Sequence, residues 1–234
     1  MKIEKKAGLM SYTVDIVFCI DTTVSMEDTK RKEKRLINVV KEHALHLYHD
    51  ITQQMNERNK KLAQLRIRVV SFRDFIADGK EALTASDFYL LPQQENEFKE
   101  CIDGIVADGG GDPPEDGLEA LATAMKSEWT EKGTKKRQVI VLWTDAGTHE
   151  IGYGKESEYY PTGMPKSMAE LEDWWDEMDQ YAKRLIIFAP DTEHWNYIRE
   201  TWNKVVFVDV APGKGVSDRR YDEIVEAIVN SFAN

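Results

Sequence analysis

Apolar positions along this chain fall into two alternating rhythms. Val14 to Ile20 is a near-continuous apolar run broken only by Asp15, and Val139 to Thr144 is a second. Short unbroken runs of this kind predict strands buried on both faces, as in a parallel sheet covered by helices. Leu65 to Phe72, Leu185 to Ala189 and Val205 to Val208 predict further strands. A short strand near Phe88 to Leu91 is stopped by Pro92, which suits a sheet edge. Between the strands the period changes. Leu36, Val40, Ala44, Leu47, Ile51 and Met55 recur at helical spacing and predict one long helix from Glu27 to Asn59. Helices are also expected over Glu95 to Ile105, over the stretch with Leu118, Leu121, Ala122, Met125 and Trp129, and over Ala169 to Ala182 and Glu193 to Trp202. A last helix, Asp218 to Phe232, turns Tyr221, Ile224, Val225, Ile228 and Val229 inward. Strands alternating with helices predict an α/β fold: a doubly wound, mostly parallel sheet of about six strands with helices on both faces. Residues 1–11 read as a lead-in and 12–234 as a single domain, without internal repeat, coiled coil or linker.

Composition narrows the function. The chain has 234 residues, enough for one full-sized core. Its formal charge of −11 and lack of a basic stripe exclude nucleic acid and anionic membrane surfaces as partners. The KRKEKR run at 30–35 reads as a solvated helix face. No apolar run reaches the length of a membrane span, and the opening MKIEKKAGLMSY is too polar for a signal peptide, so the expected location is the cytoplasm. Cys19 and Cys101 lack the spacing of a redox or zinc pair and read as small buried hydrophobes.

The candidate chemistry lies at strand ends. Asp21 closes the first strand, and Asp21, Thr23 and Ser25 follow at alternate positions, aiming three oxygens the same way. One carboxylate and two hydroxyls suit a hard divalent cation, Mg2+ or Mn2+, that keeps some water. Asp112 follows three glycines, and Asp145 ends the Val139–Thr144 strand. In a doubly wound sheet such turns converge where the strand order reverses. Asp145 reads as a ligand through water or as a carboxylate that supports the direct ligands, because the cation takes only about six oxygens. Asp112 has two readings, as a ligand or as a helix N-cap with Pro113 at N1 and Glu115 at N3, and both hold if its metal contact runs through water.

The three stretches DTTVS (21–25), GGGDPPE (109–115) and LWTDAG (142–147) together resemble the von Willebrand factor A domain family with its metal-ion-dependent adhesion site. The family pattern is Asp-x-Ser-x-Ser, then Thr or Asp in a second loop, then Asp after the fourth strand. The GGGDxPE form is similar to a bacterial and protist branch, and the resemblance spans residues 12 to 233. Thr23 replaces the commoner Ser and keeps the hydroxyl. The resemblance implies a Rossmann-like fold and a metal on Asp21, Thr23, Ser25, Asp112 and Asp145. It also implies a non-enzymatic module that recruits a protein partner in a cytoplasmic signalling or defence assembly, such as a separate kinase, phosphatase or ATPase chain. With Asp112 in the second loop, three carboxylates would surround the dication, tightening metal binding and weakening attraction for a partner's carboxylate.

An enzymatic alternative is a magnesium-dependent phosphohydrolase of the haloacid-dehalogenase type, whose nucleophile motif also follows a buried strand and would make Asp21 the phosphoryl acceptor. It requires a catalytic lysine and a late acidic pair. Asp145 has no acidic neighbour at the right distance, so the chain reads as a non-enzyme. His43, His46 and His49 could suggest zinc, but the last two lie opposite the apolar stripe. His149-Glu150 lacks the second histidine of a metalloprotease motif, although His149 could line the metal rim, and Gly213-Lys214-Gly215 is no phosphate loop. Of Trp174 and Trp175, one is expected in the core and the other partly exposed or on a partner. Residues 146–168 form a long Gly-, Tyr- and Pro-rich loop expected beside the metal. Its Tyr153, Tyr159 and Tyr160 either contact a partner or fold back as local core.

Overall fold

The computed structural model describes residues 11–27, 36–111, 113–133, 135–211, 225–226 and 229–230. Its first strand, β1 (Ser11–Asp21), is buried from Tyr12 onward. Val14, Ile16, Phe18 and Ile20 enter one core, and Val17 and Cys19 enter another on the opposite face. Burial on both faces is why the run is unbroken rather than alternating. Asp15 is buried too. Its carboxylate is held by Arg66 of β2 (Lys61–Phe72) through Nε at 2.9 Å and Nη2 at 2.7 Å, and accepts the Thr130 amide at 2.6 Å. The polar interruption is therefore a two-pronged ion pair.

β1 runs parallel to β2 on one side and to β5 (Lys135–Trp143) on the other. β6 (Lys183–Ala189) and β7 (Val205–Asp209) continue the parallel sheet beyond β5. The outer edge of β2 is shared by two short antiparallel strands: β3 (Leu83–Ala85) pairs with residues 70–72, and β4 (Tyr89–Leu91) with 65–67. The sheet thus has seven strands, in the order β3-β2-β1-β5-β6-β7 with β4 beside β2. β4 lies at the edge, as Pro92 suggests. β3 is the strand beyond the six expected from sequence, and three residues are too few to show a period.

Helices α1 (Leu36–Glu57) and α3 (Glu95–Asp103) cover one face. Helices α4 (Gly117–Met125), α5 (Met168–Glu177) and α6 (Glu193–Thr201) cover the other. A one-turn helix, α2 (Phe75–Asp78), follows β2, capped by the Asp74 side chain on the amides of Ile76 and Ala77. At the start of the helix expected from Glu27, Val24–Glu27 is a tight 3-10 turn; residues 28 and 29 lie outside the described residues, and α1 is described from Leu36 onward. Residues 30–35 lie outside the described residues, as does most of the Asp218–Phe232 helix, of which Val225 and Val229 are buried in the first core. α4 ends at Met125, so Trp129 lies beyond it, donating its indole N–H to Met125 O at 2.9 Å. His43 is buried, whereas His46 and His49 face solvent. Trp175 is buried and Trp174 half-buried beneath Lys126. Among the described residues no helix is long and apolar enough to cross a membrane.

Candidate metal centre

The chain leaves β1 toward β2 on one side and reaches β5 on the other, so the strand order reverses between β1 and β5. Ile20 and Trp143 face each other there, and Asp21 and Thr144 leave the sheet side by side. Open α/β sheets take ligands at this point. Asp21 Oδ2 accepts from the Thr144 hydroxyl at 2.6 Å. Asp21 Oδ1 accepts from the amide of Thr23 at 2.9 Å and its hydroxyl at 2.6 Å. Thr23 Oγ1 is 3.0 Å from Ser25 Oγ, which donates to Asp145 Oδ1 at 2.8 Å. The 3-10 turn closes through Met26 N to Thr23 O at 3.1 Å, folding Ser25 back over the strand ends. Asp21, Thr23, Ser25 and Asp145 therefore form one continuous chain of oxygens.

The second loop packs against the first. Asp108 N donates to Thr22 O at 2.9 Å and Val24 N to Gly109 O at 3.1 Å. Gly110 has φ +97°, and a Cβ there would lie 2.5 Å from Thr23 Cβ, so neither the backbone conformation nor the space admits a side chain. Asp112 lies outside the described residues. Glu115 does not stand at a third helical position, because α4 begins at Gly117 with Asp116 in the cap position. Glu115 instead bridges the loop after β5. Its amide donates to Gly147 O at 3.2 Å, and its carbonyl accepts from His149 N at 2.8 Å and Thr148 Oγ1 at 2.9 Å.

Glu115 is the residue that sequence reasoning placed only in a cap. Its side chain is buried, and Oε2 has no hydrogen-bond partner among the described residues. Burial, then the charges of Asp21, Asp74, Asp116 and Asp78, push its carboxyl up to about 9. Burial and the neighbouring Asp145 carboxylate likewise raise Asp21 to about 6, against the hydrogen bonds from Thr144 and Thr23. Like charges held apart only by hydroxyls, beside an unsatisfied buried carboxyl oxygen, are the surroundings a dication relieves. Among the described residues no three or more His, Cys, Asp or Glu side chains gather into a metal cage. The donor set here is mixed, carboxylates with hydroxyls, and it fits a hard cation that retains water.

No family model matches the chain, and no characterised protein matches it in sequence. Solved structures do match in shape. The pilus adhesin SpaC from Lactobacillus rhamnosus GG superposes with a TM-score of 0.58 at 13% identity, over 94% of this chain and 31% of that one. The minor pilin PilB from Streptococcus sanguinis gives 0.58 at 14%, over 97% and 63%. Proximal thread matrix protein 1 of the mussel byssus gives 0.54 at 12%, over 95% and 48%. The chain thus spans less than two thirds of the length of each. The likeness is one of fold.

The loop after Asp145 completes the face. Its start is anchored by Trp195 of α6, whose indole N–H donates to Ala146 O at 3.1 Å. His149 Nε2 lies 3.0 Å from Asp74 Oδ2, and its ring stacks on Tyr153 with centres 3.8 Å apart. The structure divides the three tyrosines. Tyr160 folds in, its hydroxyl donating to Glu119 Oε1 at 2.9 Å and its ring 5.0 Å from that of Phe75. Tyr153 and Tyr159 are 50% and 48% exposed. Glu119 and Asp116 are buried carboxyls, both raised to about 7: Glu119 by burial, Asp116 by burial and then by Glu119. Glu119 also accepts the Gly152 amide at 2.9 Å, and Asp116 the Phe75 amide at 2.6 Å.

Proposed function

We propose that this chain is a von Willebrand factor A-type module that binds Mg2+ or Mn2+ and recruits a protein partner through the metal face. The observation that carries this reading is the unbroken chain of oxygens from Asp21 through Thr23 and Ser25 to Asp145 at the strand-order reversal. Asp21, Thr23 and Ser25 would hold the cation, with Asp145 and Asp112 joining directly or through water, and Glu115 within the same acidic pocket. When bound, the cation supplies a Lewis-acid position that an oxygen of the partner can complete. This chain's own residues orient the donors. Thr144 and Thr23 fix the Asp21 carboxylate, and Gly110 lets the second loop close on Thr23.

The function is binding rather than catalysis. Asp21 is bonded to two hydroxyls and an amide, contacts that hold its carboxylate in place as an oxygen donor. An adhesin and a pilin among the structures of like fold support a binding role by their names. The motif resemblance favours a cytoplasmic signalling or defence assembly, with a kinase, phosphatase or ATPase chain as partner. Titration calorimetry tests the metal: heat of binding is expected from the wild type and none from Asp21→Ala. Equal heats from both proteins would sink the assignment.

A further inference from the structure

The sheet ends on β7, whose outer margin meets no strand among the described residues. Leu185 N donates to Lys204 O at 3.1 Å where β6 and β7 begin to pair, and Val210 N to Ala189 O at 3.1 Å where they part. Parallel pairing turns alternate residues to alternate sides, so Lys204, Val206, Val208 and Val210 bond inward to β6. The N–H and C=O groups of Val205 and Phe207 therefore point outward along the open margin. Sheet margins are commonly guarded by a proline, a bulge or a lysine within the strand. Val205–Val208 reads VVFV and holds none of them. Val206 is 38% exposed, while the Phe207 ring lies beneath the Arg199 guanidinium of α6. What stands open is the edge itself and one apolar side chain beside it.

This edge is complementary to itself. Laid antiparallel on a second copy with Phe207 facing Phe207, every residue of β7 finds a counterpart: Val205 stands across from Asp209, and Val206 from Val208. The outward groups of the two Phe207 residues then exchange N–H···O bonds, and Val206 and Val208 form the closer, non-hydrogen-bonded pairs in which apolar side chains cover one another. Lys204 of one copy arrives at the end where the other presents Asp209, so opposite charges meet at both ends. A parallel pairing would set lysine beside lysine instead. We propose that two copies of this chain pair through β7 and join their sheets into one. The contact uses the same surface on both chains and so closes at two. Strand direction reverses across the two-fold axis, so the two candidate metal faces point opposite ways and the pair joins two partners rather than gripping one twice. The pairing stands independently of the metal reading, since β7 lies two strands away from β1.

One short strand pair is smaller than a standard interface, so the dimer should be weak, with a Kd on the order of 100 µM. The test is sedimentation equilibrium of the full chain from about 5 to about 500 µM, a range that brackets this Kd, with amide hydrogen exchange at both ends of it. The average mass is expected to rise toward twice that of a single chain. The amides of Val205 and Phe207 should exchange fast when dilute and slowly when concentrated, while those of Val206 and Val208, bonded to β6, stay protected throughout. Val206→Lys sets a charge in the apolar pair and should weaken association by roughly tenfold or more, with the far-ultraviolet circular dichroism unchanged. Val206→Thr, which keeps a good strand former, should pair as the wild type does. A single-chain mass across the whole range would overturn the proposal. So would a dimer that keeps its affinity in Val206→Lys, or one that leaves Val205 and Phe207 exchanging fast. Protection of those two amides at every concentration, with a single-chain mass, would overturn it in favour of a cover supplied from within the chain.

Discussion

Asp21 faces opposite demands with and without a cation. Its folded carboxyl titrates at about 6, raised from 3.8 by burial and Asp145. A raised folded value means that its contribution to the stability of the metal-free protein is complete below 3.8 and is lost as pH rises through about 6. A dication favours the ionised form, so proton and metal compete for the same oxygens. Mg2+ affinity is therefore expected to fall between about pH 7.5 and about pH 5, with proton release on binding near the middle of that range. Calorimetry in buffers of different ionisation heat measures both, and an affinity flat across the range would contradict the assignment. Asp15 is a contrasting case, because its buried charge already has a partner. Arg66→Ala strands that carboxylate and should cost about 3–5 kcal/mol in urea unfolding. The double variant Asp15→Asn/Arg66→Met should recover most of the loss.

At the scale of elements, the second loop sets how well the site is built. Gly110→Ala combines a left-handed backbone with a collision against Thr23. It should destabilise by about 1–3 kcal/mol and weaken Mg2+ binding, because Thr23 must move. Gly152→Ala shares a positive φ but meets nothing within 4 Å, so calorimetry should show its Mg2+ affinity unchanged. The two loops also mark what the sequence made legible. Asp21, Thr23 and Ser25 could be read because alternation at a strand exit fixes direction, and β1 and β5 because burial on both faces leaves unbroken runs. Asp145 followed from its place at the end of the second run. Glu115 could not be read, since DPPE fits a capping box as well as it fits a bridge, and only the start of α4 at Gly117 decides between them. The tyrosines were equally open: nothing in their spacing says that Glu119 would claim Tyr160 and leave Tyr153 to His149.

For the molecule as a whole, the fold is expected to survive loss of the metal. Two cores flank the sheet, one under α1 and α3 and the other under α4, α5 and α6, and neither includes the oxygen donors of the site. Chelator should leave the far-ultraviolet circular dichroism unchanged, unlike small metal-built domains that unfold without their ion. Collapse of the spectrum would show that the cation is structural. The divided margin of the sheet bears on a different property. β3 and β4 each cover three residues of β2, offset along its length, and Pro92 follows directly after β4. A margin made of two fragments cannot template a long incoming strand. At high concentration, this flank should resist the edge-to-edge growth that leads from soluble protein to fibrils.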